Sequence, residues 1–137
     1  MILNDFEIQR ACQGTHSSRP PLVKPFHHSR LQPASYDVRL LPNILVHNGA
    51  KEPLDLRSDV PAKYLKEFVM NEEGYVLNPD EFILGSTIEE VSVPDFLAVR
   101  FEGKSTLGRI GLTTHVTAGF VDPGFSGRIT LEIKNLA

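Results

Sequence analysis

Apolar and polar residues alternate along most of the chain after Tyr36, and this period of two predicts short β-strands. Turn residues such as Asn48-Gly49, Gly85-Ser86 and Asp122-Pro123-Gly124 separate the alternating stretches. The predicted strands cover residues 36–40, 44–46, 75–77, 81–84, 88–93, 96–101, 112–117 and 128–134. A shorter alternation surrounds Asp55, and residues 64–70 suit either a strand or a helical turn. Many short strands with such punctuation are typical of an all-β sandwich, jelly roll or barrel.

Two helices are predicted outside this pattern. Asn4 is suited to cap the first helix, with Glu7 in the capping-box position three residues later. That helix is expected to run through Cys12 and to end near Gly14. Ser105 is expected to cap a second, short helix over residues 105–110. The proline-rich residues 15–33 keep no sustained period and predict a loop.

The composition narrows the class of protein. With 137 residues, 41% of them apolar and 23% charged, the chain is expected to form a single globular domain spanning residues 1–137. The lone Cys12 excludes an intrachain disulfide and a zinc site made of several cysteines. No apolar run has the length of a membrane span, and no signal peptide pattern opens the chain, so we expect a cytoplasmic protein. The net charge of −3 argues against nucleic acid as a partner.

Residues 103–106, Gly-Lys-Ser-Thr, resemble the end of a phosphate-binding P-loop, but the first glycine of that motif is replaced by Ala98. A weaker possibility remains open. Lys104, two hydroxyl groups and Arg109 follow a predicted strand, where they could bind a phosphate. A solvated surface turn explains the same residues equally well. The histidines have no metal-ligand spacing, and no metal site is predicted.

Glu132 lies on the last predicted strand. Ile129, Leu131 and Ile133 share one face of that strand, and Thr130, Glu132 and Lys134 share the other. On periodicity alone, the second face is a solvent face. From the residues alone, the first explanation of Asp122 is that its side chain caps its own turn.

The segment from Phe101 to Glu132 closely resembles the core of the dCTP deaminases, relatives of the trimeric dUTPases. Residues 1–5, 32–40 and 78–86 extend the resemblance over most of the chain. It implies an all-β, distorted jelly-roll or β-barrel fold of the dUTPase-like type, with a short N-terminal helix and one short internal helix. It also implies a homotrimer whose sites lie at subunit interfaces.

The resemblance implies a deamination of dCTP that uses no metal at the carbon, unlike the zinc deaminases with their several cysteines. Glu132 would act as general base and then as general acid, a role that suits a carboxylate whose pKa is raised toward neutrality. Ser105 and the backbone carbonyl of Ala118 would hold the attacking water. Arg109 would lie close to Glu132 and the substrate.

The same resemblance implies how the nucleotide binds. The triphosphate would meet a continuous segment and carry Mg²⁺ on its own oxygens. That segment consists of Lys104, Ser105, Thr106, Leu107, Gly108 and Arg109. Asp122 would contact the deoxyribose 3′-hydroxyl. Thr130, Leu131 and Glu132 would line the base pocket.

Two residues bear on the product. Gly119 and Phe120 match the branch of the family that also cleaves dUTP, so that dCTP yields dUMP and pyrophosphate. A monofunctional dCTP deaminase and a dUTPase-like hydrolase remain alternatives. Family members continue past Ala137 with a Tyr, a Lys and a Gln that close over the nucleotide. The chain is therefore expected to lack a closing segment, and a catalytically silent nucleotide-binding or trimerising module is an alternative of another class.

Overall fold

Antiparallel strands carry most of the secondary structure in the computed structural model, which describes residues 1–13, 20–49, 55, 57 and 63–137. The described helices are α1 (Asp5–Gln13), a 3₁₀ helix (His28–Arg30) and α2 (Ser105–Gly108). The described strands are β1 (Val23–Lys24), β2 (Leu31–Gln32), β3 (Ser35–Tyr36), β4 (Asn43–His47), β5 (Leu65–Val69), β6 (Phe82–Ser92), β7 (Val99–Arg100), β8 (Leu112–Thr113), β9 (Phe120–Val121) and β10 (Ser126–Asn135). No helix among the described residues is long and apolar enough to cross a membrane.

The largest sheet has the hydrogen-bonded order β5-β4-β6-β10-β8, and β1 pairs with β6 outside this path. Its register is fixed by pairs such as Leu45 with Leu84 and Lys134 with Thr113. Strands β2 and β3 form a second sheet, and β7 and β9 form a third. The all-β class, the N-terminal helix and the short internal helix are confirmed. The described strands form these three sheets and no closed barrel.

The described chain divides into two compact units. The first unit comprises Met1–Leu40, Thr87–Phe101 and Gly119–Ile129, and the second comprises Leu41–Ser86, Glu102–Ala118 and Thr130–Ala137. Strands β6 and β10 each contribute residues to both units. Each unit therefore consists of three separate segments of the sequence.

Helix α1 anchors the core of the first unit. It buries Ile8 and Cys12 in a cluster with Leu22 and Val23. The predicted capping box is confirmed, because the Glu7 backbone N–H donates to Asn4 Oδ1 and the Asn4 backbone N–H donates to a Glu7 carboxylate oxygen, both at 2.9 Å. These reciprocal bonds satisfy amide groups that the start of a helix leaves unpaired.

Polar groups also lie in the core of the first unit. Thr87 and Glu89 on β6 are completely buried. The Thr87 hydroxyl donates to the carbonyl of Glu89 at 2.6 Å and accepts from the Ile129 N–H at 3.0 Å. Its two bonds are those that a buried hydroxyl needs to offset the loss of water.

In the second unit, strand β4 lies between β5 and β6. Its Ile44 is 2% exposed, whereas most of β5 is exposed because β5 forms an edge of the sheet. Residues 64–70, which suited either a strand or a helical turn, contain β5. Pairing with β4 along five residues decides the conformation in favour of a strand.

Several local predictions were wrong. Gly85-Ser86 does not separate two strands, because β6 runs through both residues for 11 residues in all. Residues 75–77 form no strand, and the strand predicted over residues 36–40 is reduced to β3 and an isolated bridge from Leu40 to Thr87. The alternation around Asp55 involves residues 54 and 56, which lie outside the described residues.

Ser105 was predicted to cap the second helix, and this was also wrong. Lys104 occupies the N-cap position with an extended backbone (φ −77°, ψ 131°), and Ser105 is the first helical residue. No side chain caps this end of α2.

Candidate active site

Strand β10 presents two chemically different faces in the second unit. Leu131 and Ile133 are buried at 5% and 6% exposure, whereas Thr130 is exposed and Glu132 is half-buried. This alternation is the one predicted from the sequence. Because the side chain of Leu131 points into the core, only its backbone could meet a ligand on the face of Glu132.

The segment that follows β8 holds the Glu132 carboxylate. The backbone N–H groups of Val116 and Thr117 donate to Glu132 Oε2 at 2.9 and 2.7 Å. The Thr117 hydroxyl lies 3.0 Å from Oε1 and 3.1 Å from Oε2. Consecutive amide groups that converge on one point favour an anion there.

These contacts keep Glu132 ionised. The backbone N–H of Thr117 lowers the pKa of Glu132 most, and partial burial acts in the opposite direction without outweighing it. The Val116 N–H, the Thr117 hydroxyl and the Ala118 N–H lower the pKa further. In this chain, the pKa of Glu132 thus lies below the ordinary value, the reverse of the raised pKa that would suit a general acid.

Helix α2 and its flanks belong to the same unit as Glu132. The side chains of Lys104, Ser105, Thr106 and Arg109 are exposed, and none of them bonds to Glu132 in the described structure. Leu107 is half-buried, and Gly108 ends the helix. The Leu136 N–H, just after β10, donates to the Gly111 carbonyl at 2.7 Å and so ties the segment after α2 to the end of β10.

Three further residues singled out from the sequence lie in the first unit. The Phe125 N–H donates to the Asp122 carbonyl at 3.2 Å, and Gly124 has φ +84°, which confirms the predicted type II turn. Asp122 is exposed. The Gly119 carbonyl accepts from the Phe101 N–H at 2.6 Å, and Phe120 is 63% exposed on β9. The roles of Asp122, Gly119 and Phe120 toward a nucleotide stay predictions.

Sequence reasoning missed two groups at the site. Thr117 was included only in the strand predicted over residues 112–117, because nothing in the sequence links it to a carboxylate 15 residues away. His115 and Glu102 form a pair with 3.8 Å between Nε2 and the carboxylate, also in the second unit. His115 lies within the strand predicted over residues 112–117, and the alternation of that strand gave no sign of an acidic partner.

Metal ligands were not predicted, and the described residues contain no group of three or more His, Cys, Asp or Glu that could hold a metal ion. The charged side chains on α2, its flanks and the second-unit part of β10 carry both signs. They are Glu102, Lys104, Arg109, Glu132 and Lys134.

Comparison with known proteins identifies the family. The model of dCTP deaminase-like domains matches residues 2–137. The chain belongs to the dCTP deaminase-like family. Within this family, it is 48% identical over 138 residues to a protein of Leifsonia xyli subsp. xyli named dCTP deaminase, dUMP-forming, covering all of this chain and 67% of that protein. It is 50% identical over 143 residues to a protein of the same name from Mycolicibacterium vanbaalenii, of which it covers 70%.

A solved structure supports the fold of this family member. The structure of 2′-deoxycytidine 5′-triphosphate deaminase from Agrobacterium tumefaciens matches 98% of this chain with a TM-score of 0.74 and 23% sequence identity. The chain covers only 41% of that protein, whereas it covers about two thirds of the Leifsonia relative. At that level of identity, the structural match establishes the all-β fold.

Proposed function

We propose that this chain carries the site of an enzyme that deaminates dCTP and forms dUMP. The observation that carries the proposal is the Glu132 carboxylate, held by the amides of Val116 and Thr117 on the ligand-accessible face of β10. The relatives named dCTP deaminase, dUMP-forming support the same reaction. A fixed, ionised carboxylate is the group that hydrolytic deamination without a metal-bound hydroxide requires.

The chemistry assigned to Glu132 is a proton relay. As an anion, Glu132 takes a proton from a water whose oxygen forms a bond to C4 of cytosine. As the oxygen adds, the electrons of the C4–N3 double bond move to N3. Glu132 then gives its proton to the amino group, the bond from C4 to the amino nitrogen breaks while the C4–N3 double bond re-forms, and ammonia leaves. The hydroxyl proton left on O4 moves to N3 and gives the uracil ring. The amide donors favour the anion and weaken it as a base. A nucleotide that covers the half-exposed carboxylate would remove water and raise the pKa of Glu132 toward the range in which it can give and take a proton.

The remaining catalytic assignments rest on the resemblance. Ser105 and the Ala118 carbonyl are proposed to hold the attacking water, and Arg109 is proposed to orient the substrate beside Glu132. Their exposure makes them accessible to a ligand. The Ala118 N–H acts on Glu132 and lowers its pKa, which brings the backbone of Ala118 close to the carboxyl group.

The triphosphate is proposed to lie along residues 104–109. Lys104 and Arg109 supply positive charge there, and both side chains are exposed. Mg²⁺ would arrive on the phosphate oxygens as part of the substrate and neutralise their charge. We also propose that Asp122 contacts the 3′-hydroxyl, and that Thr130 and the Leu131 backbone meet the base beside Glu132.

A homotrimer is part of the proposal, since many of these residues are exposed in the single chain and a neighbouring subunit would complete the pocket. Light scattering of the purified chain tests this stoichiometry. Because dCTP is an intracellular metabolite, a cytoplasmic location accompanies the proposed activity.

The deciding experiment measures ammonia, dUMP and pyrophosphate from dCTP with the purified 137-residue chain and Mg²⁺. Turnover is expected, and Glu132→Gln should abolish ammonia release while Glu67→Gln, on the exposed edge strand β5, should not. Binding of dCTP in calorimetry without turnover would support the silent nucleotide-binding module instead. The absence of both binding and turnover would overturn the proposal.

A separate assay decides the product. Gly119 and Phe120 predict that dUMP and pyrophosphate appear together with ammonia. Accumulation of dUTP would indicate a monofunctional deaminase, and cleavage of added dUTP without any ammonia from dCTP would indicate a dUTPase-like hydrolase.

A further inference from the structure

Thr117 contacts Glu132 in a way that differs from the other donors. Its backbone N–H approaches Oε2 at 2.7 Å, and its hydroxyl lies 3.0 Å from Oε1 and 3.1 Å from Oε2. One residue thus reaches both carboxylate oxygens. Such a contact restricts rotation of the carboxylate about its last torsion, which is otherwise broad.

The two carboxylate oxygens are therefore not equivalent. Oε2 accepts from the Val116 and Thr117 amides at 2.9 and 2.7 Å and lies near the Thr117 hydroxyl, whereas Oε1 lies 3.0 Å from that hydroxyl. The Ala118 N–H also acts on the carboxyl group, as the smallest of the contacts that lower its pKa. Donors that stabilise the negative charge on an oxygen make it less basic. Oε1 is accordingly the oxygen better suited to accept a proton.

A hydroxyl differs from an amide because it can donate or accept a hydrogen bond. When Glu132 is ionised, the Thr117 hydroxyl donates to it. When Oε1 carries a proton, the same hydroxyl can turn and accept that proton's hydrogen bond. A backbone N–H can only donate, so it cannot accept the hydrogen bond of a proton on the oxygen that it faces.

We propose that Thr117 is a positioning residue that directs the proton to Oε1 of Glu132 and supports the carboxyl group in both of its protonation states. The contribution to catalysis rests on the proposed function. The hydrogen bond between the hydroxyl and the carboxyl group does not depend on that function, and its effect can be measured without a nucleotide.

Other charged or ionisable groups belong to the second unit. The parts of β6 and β8 in this unit contain no charged residue. Lys134 lies two residues along β10 and is 3.9 Å from an Asp80 oxygen. The other charged or ionisable residues on neighbouring segments are Glu81, Glu102, Lys104, Arg109 and His115. Because several ionisable side chains share this unit, a resonance assigned to Glu132 itself is needed to follow its protonation.

The test uses the 137-residue chain with ¹³C-labelled glutamate carboxyl groups, a Glu132→Gln variant to assign the resonance, and the variants Thr117→Val and Thr117→Ser. Thr117→Val keeps the shape and the backbone N–H but removes the hydroxyl. Its Glu132 carboxyl should titrate at higher pH than in the parent, whereas Thr117→Ser should titrate like the parent. Thermal unfolding of all variants checks that each is folded.

Turnover supplies the second readout. Thr117→Val should lower kcat roughly tenfold or more with little change in KM, and Thr117→Ser should restore most of the activity. An unchanged Glu132 titration in Thr117→Val would overturn the proposal whatever the rates are, as would equal losses in both variants or a loss confined to KM. If the Glu132 titration shifts in Thr117→Val but the parent shows no turnover, the result would count against the proposed function. The hydrogen bond from Thr117 to the carboxyl group would still be established.

Discussion

The completely buried Glu89 carboxylate accepts hydrogen bonds from the backbone N–H of Arg39 at 2.8 Å and from its Nε at 2.7 Å. Burial by itself would raise the pKa of Glu89. The bonds from Arg39 and its positive charge outweigh burial, so the pKa of Glu89 is lowered. The arginine lies 50 residues away in the sequence and joins the segment after β3 to the middle of β6.

Arg39→Ala should destabilise the protein strongly, because it leaves a buried charge without its partner. We expect the free energy of unfolding to fall by about 3 kcal/mol, measured by urea denaturation. Arg57→Ala is the matched control. Arg57 pairs with Asp55 at 3.2 Å, but its side chain is 91% exposed, and such pairs contribute about 0–1 kcal/mol. Equal losses in the two variants would contradict this account.

Acid should destabilise the chain through three carboxyl groups. Burial raises the pKa of Glu81 and Glu89, but the hydrogen bonds that they accept outweigh burial and lower it. For Glu132, the largest effect is the hydrogen bond from the Thr117 amide, which lowers the pKa. Stability from such groups is fully present above the ordinary carboxyl pKa of about 4.3 and is lost as the pH falls through the lowered values. Urea midpoints between neutral pH and pH 3 measure this loss. Arg39→Ala should weaken the dependence, and a constant midpoint would refute it.

Tyr75 should ionise at unusually high pH. Burial, the hydrogen bond that its hydroxyl donates to Glu81 and the charge of Glu81 raise the pKa of Tyr75 to about 12. The stability from this contact is present below the ordinary tyrosine pKa and is lost as the pH rises toward 12. The difference between the ultraviolet titrations of the parent and of Tyr75→Phe isolates the ionisation of Tyr75. The variant keeps the ring that packs edge-on against Phe68, and it should raise the pKa of Glu81.

Gly111 and Gly74 form a matched pair for a test of crowding. Both have positive φ, +81° and +79°, but a Cβ on Gly111 would lie 3.0 Å from the Ala137 Cβ and 3.1 Å from its N, whereas Gly74 has open space. Gly74→Ala should cost about 1–2 kcal/mol of unfolding free energy from backbone strain. Gly111→Ala should cost about 1 kcal/mol more from crowding. Equal losses in urea denaturation would show that Ala137 moves aside without cost.

The local features of this fold could be predicted from sequence because their physics is local. Asn4 and Glu7 satisfy each other's amides across three residues, and the turn at Asp122 is set by Pro123 and Gly124. The alternation around Glu132 follows from strand geometry alone. In each case, the interacting residues lie within one turn or one strand.

Features that depend on distant partners could not be predicted in the same way. Gly85 and Ser86 favour a turn by composition, yet pairing of Leu84 with Leu45 and the bond from the Leu41 N–H to the Ser86 carbonyl keep them in β6. The family resemblance pointed to Glu132, but its hydrogen-bond donors at Val116 and Thr117 could be identified only from the structure. Tertiary pairing overrode local propensity at the first site and supplied the donors at the second.

The division of β6 and β10 between both units has a consequence for synthesis on the ribosome. The first unit needs residues up to Ile129, and the second needs residues 130–137. Neither can therefore be completed until its third segment has emerged, and the earlier segments must wait for partners made much later. Folding that depends on such distant pairings is slow, and for the same reason neither unit can be excised as a continuous fragment.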